Sequence, residues 1–389
     1  MSRRRRLLNI SPIKYDFIHS VTSNHDVGTY YILDFSVNSV EVEKEIQKPS
    51  LSLIIKNVLG EYLTNLKEVH RFNTNEGVLN TYISESGAVI HLRFYKNGLI
   101  TLNIEYYKEE QKEPLLSFEK VKKLENDLAQ RVNGKSRALV PLKRGVYPQY
   151  FPTSDERILE YDIDEIVFEE KSKFQKVQIL HSKSLGNMLV LDDLQNISER
   201  DVIYTDTIMK RGTENYKHKE IIILGGGDGA LLNELLKENP RHVIMLEIDP
   251  VVIKACAIHL RSLCGNVLDN EERPEYTILL TDCMVALDSY IKEGRKFDYV
   301  FGDLTDVPIS DDPELWSFME KVLQKVFKVM KPTGKFMTQV CGAVCSDALK
   351  KYEELLNKQE PKVKFERTKA FIPSFMEDWI FGAISFQTD

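Results

Sequence analysis

The sequence predicts a mixed α/β chain, with a Rossmann-like parallel sheet in its C-terminal half, a small β-unit before it and an α+β unit at the N-terminal end. Three observations predict this. The apolar run Ile221-Ile222-Ile223-Leu224 passes into Gly225-Gly226-Gly227-Asp228-Gly229-Ala230 and then a helical segment, Leu231–Lys237. That order, buried strand then glycine turn then helix, opens a nucleotide-type fold. From Asp201 onward, short apolar strands alternate with helix-period segments, the mark of a parallel sheet. Ahead of them lie a helix, a set of alternating strands and a second helix, the pattern of a two-layer α+β unit.

In chain order, residues 1–25 are polar and basic without a sustained period and read as a poorly ordered tail. Tyr31, Leu33 and Phe35 alternate with Tyr30, Ile32, Asp34 and Ser36, which predicts a strand from Gly28 to Val37. A helix then opens with Ser50 as candidate N-cap, its stripe formed by Leu51, Ile54, Ile55, Val58, Leu59, Tyr62, Leu63 and Leu66. Strands follow at Leu79–Ser84, Ala88–Tyr95 and Leu99–Tyr107, and Asn97-Gly98 signals a type I′ hairpin between the last two. A charged helix over Ser117–Val132 turns Val121, Leu124 and Leu128 inward. Asn133-Gly134-Lys135-Ser136 and the stretch to Pro152 read as a boundary. Short strands at Ile158–Asp162, Ile166–Glu170, Lys176–Ser182 and Asn187–Leu191 form the small β-unit. The expected division is therefore a tail over 1–25, an α+β domain over 26–140, a β-domain over 141–199 and the α/β domain over 200–389.

Composition narrows the function. The 389 residues carry 59 acids against 52 bases, a net charge of −7. A negative field repels phosphate backbones and argues against nucleic-acid binding. It suits a cationic ligand, although it is also an ordinary solubility balance. No apolar run is long enough to span a bilayer, and the three residues after Arg3–Arg6 are too few for a signal-peptide core, so no membrane partner is expected. The arginine cluster reads as a solvated tail or a nuclear address. Five cysteines, Cys256, Cys264, Cys283, Cys341 and Cys345, are an odd and sparse set that suits reduced thiols and a cytoplasmic location. Cys341 and Cys345 lack a second pair or a nearby His, so no metal site is expected.

Acids stand at the ends of successive strands. Glu247 closes His242–Ile248 twenty residues after Gly227, Asp282 follows Tyr276–Leu280, and Asp303 follows Phe297–Phe301. Such positions face the crevice at a topological switch point, and Glu247 falls where ribose hydroxyls are held. Each also has an alternative as a helix cap or turn residue, most open at Asp282. Gly225 and Gly227 would let a ligand approach the backbone. The loop departs from G-x-G-x-x-G, and Asp228 would repel a pyrophosphate, which argues against a dinucleotide. It suits a sulfonium nucleoside whose side chain ends in an amine.

Leu224–Gly229, Glu247-Ile248-Asp249, Asp282-Cys283 and above all Asp303-Leu304-Thr305-Asp306-Val307-Pro308-Ile309-Ser310 resemble the spermidine/spermine synthase family, in its animal-type spermine synthase branch. Glu160–Glu165, Gln178–Lys183 and Cys264–Asn270 support the resemblance, which runs from Tyr147 to the C-terminus. The N-terminal unit is similar in length and element order to the S-adenosylmethionine decarboxylase-like domain that serves that family in dimerisation. The resemblance implies a methyltransferase-type α/β domain, a homodimer and no tightly bound cofactor. It implies transfer of an aminopropyl group from decarboxylated S-adenosylmethionine to spermidine, giving spermine and methylthioadenosine. Gln175, Glu247, Asp282 and Cys283 would line the nucleoside site, and Asp228 would take the aminopropyl ammonium. Tyr204, Asp303, Phe375 and Glu377 would bind the polyamine, with Asp303 as proton acceptor and Asp201 adding charge. Phe375 stands where the family often has Tyr.

The residue chemistry agrees with that implication. An attacking amine of pKa near 10 must lose a proton, which costs about 4 kcal/mol at pH 7. A carboxylate within reach of the nitrogen can accept that proton, while the thioether leaves neutral and needs no acid. Asp228 would repel the carboxylate of ordinary S-adenosylmethionine, which argues against a methyltransferase. Spermidine synthases of the family commonly carry a second acid after the Asp201 position and an Asp-Ser-Ser-Asp-Pro-type run at the Asp303 position. This chain has Val202 and Leu304-Thr305 there, so the resemblance implies spermidine rather than putrescine as acceptor. A spermidine synthase and a non-catalytic polyamine-binding scaffold remain the alternatives. Ser84-Glu85-Ser86-Gly87 looks like a decarboxylase self-cleavage site, but the unit is too short for that enzyme and the segment reads as a turn.

Overall fold

The computed structural model describes residues 27–108, 113–145, 147–304 and 313–387. The basic tail and the Thr305–Ser310 part of the motif lie outside the described residues. The chain divides into two compact units that part at 146/147.

In the N-terminal unit, antiparallel strands run in the order Lys67–Thr74, Gly77–Ile83, Val89–Tyr95, Leu99–Lys108, Val27–Ser36 and Lys135–Ala138. Leu142–Arg144 pairs farther along Val27–Ser36. The period-two pattern buries Tyr31, Leu33 and Phe35 and, across the sheet, Ile90, Leu92 and Phe94. They pack with Ile55, Val58 and Leu59 of the helix Leu51–Gly60 and Val121, Leu124 and Leu128 of the helix Phe118–Val132. Ser117 caps that last helix, its hydroxyl accepting from Lys120 N–H at 3.3 Å.

Three local expectations change here. Ser50 makes no side-chain cap. A helix absent from the sequence reading, Ser39–Gln47, brings in the fully buried Glu45, whose carboxylate accepts from the N–H groups of Ser50, Leu51 and Ser52. One carboxylate thus satisfies three orphan donors and takes over the cap. The Asn97-Gly98 hairpin is not type I′, since Asn97 keeps a negative φ. Gly98 N–H instead bonds Tyr95 O, and Gly98 alone is left-handed at φ 93°, a three-residue loop. Lys135–Ala138 and Leu142–Arg144, read as connecting chain, are short strands that carry no apolar period.

In the C-terminal unit, Ile163–Lys171, Lys176–Ser182, Gly186–Leu191 and Leu194–Ser198 form an antiparallel sheet, and Tyr150–Pro152 pairs with Ile158–Glu160. The eight-stranded sheet behind it runs Glu272–Arg273, Tyr276–Leu280, His242–Glu247, Glu220–Gly225, Phe297–Asp303, Met330–Gly342, Glu377–Phe386 and Val363–Ile372. Its middle five strands are parallel and the last two are antiparallel. Ile221 to Leu224 are wholly buried, as a strand covered on both faces must be. The chain adds strands outward from Glu220–Gly225 in one direction, then returns to add Phe297–Asp303 on the other side. The switch point therefore lies between those two strands, with Gly225 paired to Asp303 at their carboxyl ends.

Candidate active site

The crevice at that switch point is lined by acids. A side chain at Gly225 (φ 84°) would fall 2.3 Å from the Asp303 carbonyl oxygen, and one at Gly227 would fall 2.5 Å from Glu247 Oε2. The glycines therefore let the loop close onto the two acids. Asp228 Oδ1 accepts from Ala230 N–H at 2.8 Å, holding its carboxylate over the start of the helix Ala230–Leu236. Glu247 Oε1 accepts from the N–H groups of Ile248 and Asp249, both at 2.8 Å. Asp303 Oδ1 accepts from the Tyr204 hydroxyl at 2.7 Å, brought in by the helix Val202–Ile208.

None of these three carboxylates has a cationic partner among the described residues. Burial pushes Asp303 up to about 7, with the neighbouring Asp228 charge adding to the rise and the Tyr204 hydrogen bond opposing it. Burial likewise lifts Glu247 to about 7, against its two backbone hydrogen bonds. Asp228 is raised by burial, and Tyr204 is held well above its ordinary value by burial and then by the Asp303 charge. Three acids crowded without a counter-ion make a site whose electrostatics are completed by a cation.

Beyond Glu247, Gln175 Nε2 donates to Asp249 Oδ2 at 3.1 Å, and the Ser172 hydroxyl donates to the same oxygen at 2.6 Å. This pins the 172–175 turn of the small sheet to the end of His242–Glu247. Asp282 is exposed and caps the helix Cys283–Glu293, accepting from Met284 N–H at 2.8 Å. The cap reading is therefore realised, and Oδ2 has no partner among the described residues. Cys283 is buried, and burial pushes its thiol up to about 12, so it is an uncharged packing surface at neutral pH.

On the other side of Tyr204 lies an aromatic wall. The Tyr204 ring meets Phe381 edge-on at 5.2 Å and Phe375 at 6.3 Å, and Phe375 meets Trp379 at 4.9 Å. Asp201 is wholly buried, and its two oxygens accept from the backbone N–H groups of Ser198 (2.6 Å) and Ser374 (3.0 Å). It ties the start of the Tyr204 helix to the turn carrying Phe375, so its geometry is that of a positioning group and not of a surface open to a ligand. Glu377 is anchored by Ser154 through the backbone N–H (3.0 Å to Oε1) and the hydroxyl (2.7 Å to Oε2).

The structure thus gathers Gly225, Gly227, Asp228, Glu247, Asp303 and Tyr204 at one crevice, with Phe375 reached through the Tyr204 ring. Sequence reasoning missed Ser154, Ser172 and Trp379, which carry no motif. Asp249 could have been found, since Asp before Pro250 is a helix-start signal, and it caps Pro250–His259. Among the described residues, no group of three His, Cys, Asp or Glu could hold a metal ion, and no helix is long and apolar enough to cross a membrane.

Three family models match consecutive stretches. They are a spermine/spermidine synthase domain over 201–389, a spermidine synthase tetramerisation domain over 146–199 and an S-adenosylmethionine decarboxylase N-terminal domain over 58–145. The polyamine aminopropyltransferase of Aeropyrum pernix is 29% identical over 242 residues, covering 61% of this chain and 74% of that protein. The polyamine aminopropyltransferase of Pyrobaculum aerophilum is 31% identical over 191 residues, covering 48% and 64%. Thermospermine synthase ACAULIS5 of Arabidopsis thaliana is 25% identical over 228 residues, covering 56% and 64%. The chain spans just under two thirds of these last two relatives. A crystal structure of spermidine synthase in complex with the transition state analogue AdoDATO superposes with a TM-score of 0.51 at 21% identity, covering 62% of this chain and 80% of that one, which shows a shared fold. The strand order, the acid-lined switch point and the three consecutive family matches agree: this chain belongs to the spermine/spermidine synthase family, the polyamine aminopropyltransferases.

Proposed function

We propose that this protein is a spermine synthase, transferring the aminopropyl group of decarboxylated S-adenosylmethionine to spermidine and releasing spermine, methylthioadenosine and a proton. The observation that carries this reading is the hydrogen bond from Tyr204 to Asp303 at the switch point, beside two further acids without cations. Glu247 and Asp282 bind the nucleoside, with Gln175 and Cys283 beside it, and Asp228 takes the aminopropyl ammonium. The acceptor lies along Tyr204, Phe375 and Glu377, with its nucleophilic amine at Asp303.

The amine lone pair attacks the methylene next to sulfur; the new C–N bond forms as the C–S bond breaks. The bonding pair returns to sulfur, which leaves as a neutral thioether. The proton of the new secondary ammonium passes to an Asp303 oxygen. Asp303 must be ionised to accept it, and the incoming cations favour that form. The remaining acceleration is alignment of nitrogen, carbon and sulfur.

The N-terminal unit is assigned to pairing two copies of the chain in a homodimer, and the chain to the cytoplasm; sedimentation of the full chain at twice the monomer mass checks the first. The activity is tested with decarboxylated S-adenosylmethionine and either spermidine or putrescine, the products being separated against spermine and thermospermine. Spermine formed from spermidine is the expected outcome. Turnover of putrescine alone identifies a spermidine synthase, and no turnover of either identifies a binding scaffold.

A further inference from the structure

We infer that Ser154 is a positioning residue that sets acceptor length, by holding the Glu377 carboxylate where the far ammonium of a triamine ends. The inference rests on the acceptor reading above and adds a residue to it.

Ser154 arrives from the connection between the paired strands Tyr150–Pro152 and Ile158–Glu160, far in sequence from the parallel sheet. Its backbone N–H and its hydroxyl take one oxygen each of Glu377, at 3.0 and 2.7 Å. Neither bond neutralises the charge. A carboxylate offers about four lone-pair sites, so two remain for a cation. The clamp is built from several sides. A side chain at Gly342 would fall 2.0 Å from Ser154 Oγ and 3.1 Å from Glu377 Oε2, so glycine there makes room for both groups. The Cys345 thiol donates to Ser154 O at 3.4 Å, and Thr153 N–H closes the loop onto Arg157 O at 2.8 Å. Glu377 is only 8% exposed, so its carboxylate has little water to orient it.

Register gives the distance. Thr338 pairs with Gly302, one residue before Asp303, while Gly342 lies four residues after Thr338 on the neighbouring parallel strand. Gln339, level with Asp303, pairs with Phe381, so Glu377 stands four residues farther along that strand, about 13 Å at the backbone, and its carboxylate lies beside Gly342. At ~1.25 Å of advance per bond, the nitrogens of an extended butane diamine lie about 6 Å apart and the outer nitrogens of spermidine about 11 Å apart. A diamine with one nitrogen at Asp303 stops short of Glu377, and the triamine reaches it. Fixing the carboxylate in place turns that difference in reach into discrimination.

The test is steady-state kinetics of the purified full chain with spermidine and with putrescine, for wild type, Ser154→Ala, Glu377→Gln and the double variant. Calorimetry with methylthioadenosine confirms that each variant is folded. Ser154→Ala is expected to raise KM for spermidine about fivefold to tenfold, with kcat within twofold and KM for decarboxylated S-adenosylmethionine unchanged. In the Glu377→Gln background the same change is expected to add nothing, because Ser154 acts through that carboxylate. If wild type uses spermidine but Ser154→Ala leaves its KM within twofold, or if the two substitutions multiply, the positioning role is overturned and the acceptor reading stands. If wild type uses putrescine and not spermidine, the acceptor reading itself is overturned and the length role falls with it.

Discussion

The Tyr204 hydroxyl donates a 2.7 Å hydrogen bond to Asp303 Oδ1, joining a buried helix of the C-terminal unit to the carboxyl end of a strand at the switch point. That bond favours ionised Asp303, while burial and Asp228 oppose ionisation. The Asp303 carboxyl is thus held near neutral pH, and the balance can be moved in either direction.

Removing the Asp303 carboxylate tests its proposed role as proton acceptor. Asp303→Asn retains an oxygen for Tyr204 but cannot take a proton. We expect kcat to fall by about 10²–10⁴, the usual range for a lost general base, with methylthioadenosine affinity within a few-fold of wild type by calorimetry. Near-normal turnover would remove Asp303 from the proton-acceptor role.

Opposite shifts of the acid limb are expected from its two neighbours. Tyr204→Phe deletes the bond that favours the carboxylate, so the acid limb of kcat/KM moves to higher pH. Asp228→Asn deletes the like charge, so the limb moves to lower pH. Both are read from pH–rate profiles between pH 5 and 9, and shifts of the same sign in the two variants would contradict the assignment of these forces.

Donor recognition separates by ligand. Asp228→Ala should weaken decarboxylated S-adenosylmethionine far more than methylthioadenosine, because only the former carries the aminopropyl ammonium. Calorimetry with both ligands checks this, and equal weakening of the two would remove the ammonium contact.

The acid cluster also bears on stability. Burial raises Asp303 from an ordinary 3.8 to about 7, so the folded ligand-free chain binds more protons than the unfolded chain between about pH 4 and pH 7. Stability is therefore fully free of this penalty below the unfolded value and declines as pH rises toward the folded one. Asp303→Asn should raise Tm at pH 8, by about 2–4 °C for each kcal/mol relieved, and change it little at pH 4. An equal shift at both pH values would show that the penalty is not electrostatic.

Asp201 carries the opposite expectation. Its carboxylate satisfies two buried backbone N–H groups, and Asp201→Ala leaves both without an acceptor at about 1–3 kcal/mol each. A fall in the urea midpoint is expected, with Asp201→Asn intermediate because one acceptor oxygen survives.

The parallel sheet was legible because its strands are buried on both faces. Ile221–Leu224 and Phe297–Phe301 announce themselves as apolar runs, and the acids at their ends follow from the fold. Strands whose residues face water were not legible. Lys67–Thr74 is almost entirely exposed, and Lys135–Ala138 and Leu142–Arg144 are charged, so no alternation marks them. The cap of Leu51–Gly60 is not legible at Ser50 because its acceptor, Glu45, lies in another helix and reaches it through tertiary packing. The same holds in the site. Asp228, Glu247 and Asp303 stand beside strand and loop signals, whereas the Ser154–Glu377 contact spans 223 residues and leaves no local trace. Asp201 was legible as an acid near the site, but its orientation toward the Ser198 and Ser374 amides required the fold.

The measurement that bears most directly on the account is product analysis of the purified full chain given decarboxylated S-adenosylmethionine with equal concentrations of spermidine and putrescine. Spermine and methylthioadenosine in equal amounts, with little spermidine formed from putrescine, are the expected result. Spermidine as the main product, or methylthioadenosine released without either polyamine product, would contradict it.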